Sequence, residues 1–247
     1  MAKVKHYVFK KKRQPIYRFF QLFLRLSYKK PKQFINQNEK VPTDGILVGP
    51  HDGKRGPMYL SIYYPEKMAD IGASPMYGSY KERFHYLRDV LYIQKQHKKK
   101  FPSTIKSAFE ALFSKFFYKG MHVIPSYEDM RLLHTINDVA KTMDNGLPVF
   151  IFPENSNKGY QKVMTDLHEG FIIITRFVSK KREKETPIYP YFLDNKRRII
   201  VIGKPYYLSD LKGMSNQEIC KYTCNRINEL NPYLEEDKKN DPLYKEN

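Results

Sequence analysis

The residues best suited to chemistry lie in one nine-residue segment that contains His51, GPHDGKRGP. Three glycines and two prolines surround Asp52, Lys54 and Arg55 in this segment, which predicts a stiff, tightly turned loop. Histidine is the side chain whose ordinary pKa suits proton transfer near neutral pH. An apolar run from Ile46 precedes the segment, and α/β proteins bind ligands at such strand ends. The segment therefore predicts a catalytic or binding loop.

A second polar loop, PENSNKGY, follows the apolar run PVFIF at 148–152. Before that run, apolar residues between 132 and 143 recur with helical spacing, and Asn145 and Gly146 end the pattern. A helix, a short turn, a buried strand and a polar loop form half of an α/β unit. We expect the loop that begins at Pro153 and Glu154 to lie beside His51.

The order of these features resembles the glycerophospholipid acyltransferase superfamily, which includes lysophosphatidic acid and glycerol-3-phosphate acyltransferases. The resemblance covers residues 14–230 and includes a His in a strand-end loop, a Gly before a short strand, a Pro-Glu loop and a late strand with Pro. The matching positions are His51, Gly120, Pro153, Glu154, Gly170 and Pro187.

The resemblance implies a single-domain α/β fold, with a mixed, mostly parallel central sheet flanked by helices. It implies transfer of a fatty acyl group from acyl-CoA or acyl carrier protein to a hydroxyl of a lysophospholipid or glycerol-phosphate-like acceptor. His51 would be the general base, since an alcohol is a poor nucleophile until a base takes its proton. The acyl donor is a substrate, so no cofactor is expected.

The chain departs from the family motifs at three places. Gly56 stands where the family has the Asp that orients the His, and Ser126 stands where it has an Arg. In FPENSNKG, Asn155 and Asn157 replace a Gly and an Arg. Asp52 and Glu154 are the alternative partners for the imidazole.

The candidate catalytic residues are therefore His51, Asp52 and Glu154. Positive charge in the two loops either binds the acceptor or is ordinary solvated charge. The candidate substrate-binding residues are Lys54, Arg55, Gly120, Ser126, Pro153, Asn155, Ser156, Asn157, Lys158 and Pro187.

A basic amphipathic segment occupies residues 1–35. After Pro15, apolar residues from Ile16 to Leu26 cover most of a predicted helix, and Arg18 and Arg25 lie on its narrow polar strip. Such a helix suits a membrane interface, where acyl chains accommodate aromatic rings and anionic headgroups attract Arg and Lys. The alternative is a helix packed on its own domain.

The acyltransferase-like domain is expected to span 36–232, before a charged, frayed tail at 233–247. A helical pattern from Ile105 to Phe116 predicts either core or a substrate tunnel. The runs at 187–192 and 198–203 predict two strands paired through the turn DNKR. Ser215 and Glu218 have the spacing of a capping box.

The net charge of +18 indicates anionic partners. Three interpretations follow: an acyltransferase on an anionic membrane surface, a lipid or acyl-carrier binder without turnover, and a nucleic-acid-binding protein, for which the sequence has no recognition motif. The two cysteines, the lack of a signal-peptide pattern and the lack of a spanning segment suggest a cytoplasmic protein, peripheral on the inner face of the membrane. No metal site is indicated, because the seven histidines are dispersed. The sequence leaves the oligomeric state open.

Overall fold

The protein is described by a computed structural model for residues 6–11, 14–52, 55–127, 129–155, 161–241 and 244. The chain has an α/β fold, in which one mixed sheet of seven mostly parallel strands is flanked by helices. The predicted fold class is confirmed.

The strands and helices follow one another along the chain with short connections. The strands are β1 (Gln33–Asn36), β2 (Ile46–Val48), β3 (Ala69–Ala73), β4 (Val123–Ser126), β5 (Val149–Ile151), β6 (Ile188–Asp194) and β7 (Ile199–Ile202). The helices are α1 (Pro15–Ser27), α2 (Arg55–Tyr63), α3 (Tyr80–His85), α4 (Lys100–Gly120), α5 (Leu132–Asp144), α6 (Gly170–Arg182), α7 (Asn216–Asn228) and α8 (Leu234–Asn240). A π-helical segment, Tyr86–Gln94, continues α3.

The strand order in the sheet is β1-β7-β6-β2-β5-β3-β4. The strands β2, β3, β4, β5 and β6 run in one direction, and the antiparallel pairing of β6 with β7 reverses β7 and its parallel neighbour β1. β2 is therefore the middle strand, with β5 and β6 on either side. Loops after β2 and β5 leave the sheet at the same edge, as the sequence predicts.

Side chains of the central strands alternate between two hydrophobic cores. Ile46 and Val48 lie in the core that also contains residues of α5, α6 and α7. Leu47 points to the other face and packs with Tyr59 and Leu60 of α2. This two-residue period is that of a strand buried on both faces.

Helix α1 packs on the domain mainly through Tyr17. The Tyr17 ring lies against Gly120, at the end of α4, where an added Cβ would come within 2.2 Å of the ring. The Tyr17 hydroxyl and the Ser61 hydroxyl of α2 are 3.0 Å apart. Most of the other apolar residues of α1 remain exposed, with exposed fractions between 41 % for Phe20 and 81 % for Leu26. The structure is therefore compatible with both predicted roles of α1, because one side of the helix packs on the domain and the other side is exposed, as a membrane-interface helix requires.

Helix α4 is neither core nor tunnel along its apolar face. Its buried side chains are small: Ser103, Ser107, Ala111 and Ser114. Its large apolar residues between Phe101 and Phe116 point outward instead, with Phe109 at 67 % exposed, whereas Phe117 and Tyr118 at its end pack against the core. Sequence periodicity finds such a face but cannot tell which side of the helix the fold will cover.

Two strands, β1 and β3, and three helices, α2, α3 and α8, were not predicted, and α2 begins at Arg55, inside the segment for which a loop was predicted. β1 (QFIN) is short and has its two apolar residues side by side, and β3 contains Asp70 and Gly72, so neither has the apolar alternation that signals a strand. The prediction of a frayed tail is wrong for its described part, which forms α8. Asp237 of α8 is buried and pairs with Arg197 at 2.9 Å.

Candidate active site

His51 lies just beyond the carboxyl end of β2, the central strand of the sheet. The backbone around it is held tightly, since the Tyr191 hydroxyl of β6 donates a 2.9 Å hydrogen bond to the Pro50 carbonyl oxygen. An added Cβ on Gly49 would approach the Tyr191 carbonyl oxygen to 2.3 Å, so only glycine fits there. The His51 ring packs edge-on against Phe152, with ring centroids 5.0 Å apart.

Glu154 connects the His51 loop to the loop after β5. Its Oε2 accepts a 3.0 Å hydrogen bond from the main-chain N–H of His51, and its Oε1 accepts a 2.5 Å bond from the main-chain N–H of Gln161. The carboxyl group is buried, and burial raises its pKa to about 7 in spite of these two bonds, which act in the opposite direction. Glu154 thus holds the backbone of His51, and its bonds do not run to the imidazole.

Asp52 turns away from the ring that it was expected to orient. The residue has a φ of 44° in the left-handed region, and its Oδ2 accepts a 2.6 Å hydrogen bond from the main-chain N–H of Asn195. Burial is the main cause that raises the pKa of Asp52 to about 6. Among the described contacts, those of Asp52 and Glu154 connect loops to each other, so neither carboxylate fills the role of the family's Asp toward His51.

Gly56, at the family's Asp position, lies in the first turn of α2 directly under the loop. A Cβ added to Gly56 would come within 1.9 Å of the His51 carbonyl oxygen and within 3.1 Å of Leu193 Cδ2. No real Cβ tolerates such a contact with backbone, so any side chain at this position forces the loop to move. The packing of α2 on the loop therefore leaves no room for a carboxylate at position 56.

The other predicted residues are divided between the two ends of the sheet. Pro153 and Asn155 flank Glu154, and the Asn155 amide donates a 3.3 Å bond to Asp166. Ser126 ends β4, on the same edge as His51 but beyond β5 and β3.

Gly120 and Pro187 lie outside this loop cluster. Gly120 packs under Tyr17, and the Pro187 carbonyl oxygen accepts a hydrogen bond from the Ile46 N–H at the opposite, amino end of β2. Pro190, level with Val48, is the proline of β6 nearer the site. Arg55 begins α2, whereas Lys54, Ser156, Asn157 and Lys158 lie outside the described residues.

Sequence reasoning missed Asn195 and Tyr191, which fix the backbone on either side of His51. The sequence pattern indicates only a hairpin turn at Asn195 and only a strand at Tyr191. The signal that would have found them is the strand order, because both belong to the β6–β7 unit and β6 is the direct neighbour of β2.

Among the described residues, no group of three or more His, Cys, Asp or Glu side chains is placed to hold a metal ion. Within the same residues, the helices are too short or too polar to cross a bilayer.

No protein-family model matches the chain, and no curated protein sequence matches it. The fold and the site define an α/β protein in which a buried glutamate accepts a hydrogen bond from the backbone of a histidine loop. The acyltransferase resemblance stays a hypothesis.

Proposed function

We propose that the chain is an acyltransferase that acts at a membrane surface, with His51 as general base. The observation that carries this proposal is the direct bond between the two predicted loops, in which Glu154 accepts from the N–H of His51 at 3.0 Å. The Pro-Glu pair and the histidine are about 100 residues apart in the chain, yet they meet at the carboxyl ends of neighbouring parallel strands, where α/β proteins bind ligands.

The proposed reaction requires one proton acceptor and a fixed backbone. The imidazole takes the proton of the acceptor hydroxyl as that oxygen attacks the thioester carbonyl carbon. Collapse of the tetrahedral adduct breaks the C–S bond, and the leaving thiolate takes the proton from the imidazolium. The products are an ester and a free thiol. Glu154 is a positioning residue in this scheme, because it holds the loop and does not accept the proton.

A membrane surface is favoured by the apolar residues that α1 and α4 leave uncovered. We call this the apolar surface; it consists of Ile16, Phe19, Phe20, Leu22, Phe23, Leu26, Phe101, Ile105, Phe109, Leu112, Phe113 and Phe116, which are all exposed. The two helices share it, since the rings of Phe20 and Phe116 are 5.4 Å apart. Arg18, Arg25 and Lys106 are exposed beside it, which suits anionic headgroups at an interface.

The proposal is tested by thiol release from acyl-CoA and from acyl carrier protein, with vesicles that contain lysophospholipids or non-phosphate alcohols. His51→Ala is expected to slow release by about 10²- to 10⁴-fold, the usual contribution of a general base. His85→Ala, a change at an exposed histidine on α3, is the matched control and should leave the rate unchanged. Equal release by wild type and His51→Ala, with ester product confirmed by mass spectrometry, would refute His51 as the base.

The second candidate function is a lipid or acyl-carrier binder without turnover. Gly56 favours it, because the packing of α2 leaves no room for the carboxylate that orients the family's His. Saturable binding of acyl-CoA by wild type, with no ester formed from any acceptor of the panel, would establish this function in place of catalysis.

A further inference from the structure

A basic pocket lies beside the His51 loop, with a volume of about 390 Å³. Three parts of the chain form it: the end of α1 with the residues that follow, the start of α2, and the β6–β7 turn. Its cations are Lys29, Lys32, Arg55, Lys196 and Arg198. No Asp or Glu is among the described residues that line it, so the five positive charges have no acidic partner within the pocket.

These five cations also lack ion pairs elsewhere among the described residues. The Arg55 guanidinium contacts an aromatic ring, since it lies 5.9 Å from the ring centre of Tyr28. Five cations around one cavity repel one another unless an anion enters it. The charge of this pocket therefore indicates a polyanionic ligand.

Two residues that line the pocket, Tyr59 and Asn195, each carry a buried polar atom without a hydrogen-bond partner, which is an indication of a ligand that does not depend on charge. The hydroxyl of Tyr59, a residue only 2 % exposed, and Oδ1 of Asn195 are buried and form no hydrogen bond. A buried polar group without a partner costs about 1–3 kcal/mol, so such groups are uncommon unless something binds them. Tyr59 can donate to an anionic oxygen, and Asn195 Oδ1 can accept from a hydroxyl.

The pocket is physically joined to the candidate active site. Asn195, in its wall, donates from its main-chain N–H to Asp52 Oδ2 at 2.6 Å and from its side chain to the Asp52 carbonyl oxygen at 3.3 Å. Asp52 directly follows His51. A ligand held by Asn195 and Arg55 would thus approach the loop that carries the histidine.

We infer that this pocket binds a phosphate monoester that also carries a hydroxyl group. Arg55, Arg198 and the lysines hold the phosphate oxygens, and Tyr59 donates to one of them. Its role in turnover rests on the proposed function. The phosphate belongs either to the alcohol acceptor or to the acyl donor, since both can carry a phosphate ester. The cations of the pocket would then bind the phosphate in place of the family's Arg, whose position Ser126 occupies on the other side of His51.

The inference is tested by calorimetric titration with glycerol 3-phosphate, coenzyme A and inorganic phosphate at fixed ionic strength. A triple variant with Lys32→Gln, Lys196→Gln and Arg198→Gln is expected to weaken phosphate ester binding by at least about tenfold. The matched control is Arg176→Gln, Lys180→Gln and Lys181→Gln on the exposed side of α6, which removes the same charge and should change affinity less than about twofold. Equal losses in both triple variants would mean attraction to net charge alone, and would overturn the pocket.

Tyr59→Phe separates ligand binding from folding. It removes only the unpartnered hydroxyl, so the free energy of unfolding should stay the same or rise while phosphate ester binding weakens. Unchanged phosphate ester binding by Tyr59→Phe would overturn the assigned role of Tyr59. Unchanged binding by both Tyr59→Phe and the triple variant of Lys32, Lys196 and Arg198 would overturn the site itself.

Two further measurements identify the source of the phosphate and keep the proposals distinct. A higher KM for the acceptor in the pocket triple assigns the phosphate to the acceptor, and a higher KM for the thioester assigns it to the donor. His51→Ala should bind phosphate esters as wild type does. Binding without turnover in wild type would overturn only the proposed acyl transfer, and turnover without pocket-dependent binding would overturn only this site.

Discussion

At the scale of single residues, the backbone of His51 is held from three sides. Glu154 accepts a hydrogen bond from the His51 N–H, and the Tyr191 hydroxyl donates one to the Pro50 carbonyl oxygen. Gly56 lies against the carbonyl oxygen of His51. A catalytic group must stay within about 0.5 Å of its productive position, so the contacts that fix the His51 backbone matter as well as the chemistry of the ring.

Replacement of Gly56 should destabilise the protein and should not restore a His-Asp pair. Gly56→Ala and Gly56→Asp place an atom 1.9 Å from the His51 carbonyl oxygen, and overpacking of this kind costs about 1–3 kcal/mol or more. Urea unfolding measures the loss. Gly170→Ala, at an α6 position with nothing within 4 Å of the added Cβ, is the control and should be neutral or stabilising. Wild-type stability together with a gain in turnover for Gly56→Asp would contradict the packing described here.

Glu154→Gln should remove a pH dependence of stability. Burial raises the pKa of Glu154 to about 7 from an ordinary value of 4.5, so the folded state keeps a proton that the unfolded state releases. The stabilisation from the neutral acid is complete below about pH 4.5 and is lost as pH rises through about 7. Across that window, wild type should lose up to about 3 kcal/mol relative to Glu154→Gln.

The measurement is urea unfolding of both proteins between pH 4 and pH 8. Asp52 has a pKa raised to about 6 by burial and is present in both, so most of its effect cancels in the difference. A constant difference in unfolding free energy across this range would contradict a raised pKa for Glu154.

At the scale of elements, α1 is joined to the domain by a ring packed on a glycine. Tyr17 lies over Gly120, and its hydroxyl pairs with Ser61, so α1, α2 and the end of α4 meet at one contact. The same helix contributes to the apolar surface and leads into the basic pocket. Its docking therefore sets the position of both.

Gly120→Ala should loosen α1 without unfolding the sheet. The added methyl group would come within 2.2 Å of the Tyr17 ring, which has to move away. We expect trypsin to cleave at Arg18 and Arg25 faster than in wild type, because local opening controls access to such sites. Gly170→Ala serves again as the control. Equal cleavage rates for Gly120→Ala and wild type would mean that the Tyr17 contact does not fix α1.

At the scale of the whole molecule, positive charge and exposed apolar area are the dominant features. The chain carries +18, and twelve large apolar residues of α1 and α4 form the apolar surface. The buried side chains of α4 are small, and its apolar residues between Phe101 and Phe116 point away from the core. Contiguous apolar area of this kind marks an interaction surface, and basic residues beside it favour an anionic lipid surface.

Replacement of aromatic residues on the apolar surface should weaken membrane binding. A variant with Phe19→Ser, Phe23→Ser, Phe109→Ser and Phe113→Ser is expected to bind anionic vesicles at least about tenfold more weakly, because each ring loses apolar burial in the interface. Vesicle sedimentation measures the affinity. Phe177→Ser, at an exposed position on α6, is the control, and unchanged binding by the quadruple variant would refute the surface as the anchor.

Local patterns were enough to predict much of the secondary structure and both loops of the site. The capping box at Ser215 and Glu218 forms as predicted, and Gly146 follows the end of α5 with a φ of 79°. Such features depend on neighbours in the chain, and a single sequence records them directly. Strands without apolar alternation, such as β3, leave no comparable trace.

The sequence by itself determined the α/β class, the histidine loop, the Pro-Glu loop and the apolar faces of the helices. Only the tertiary structure decided what those groups touch. In the folded chain, Asp52 accepts a hydrogen bond from Asn195, and Glu154 accepts one from the backbone N–H of His51. Arg55 and Arg198 line one pocket. The reason is physical: a motif fixes residue types a few positions apart, whereas hydrogen bonds and shared cavities depend on which strands are neighbours, and that order is set by packing over the whole chain.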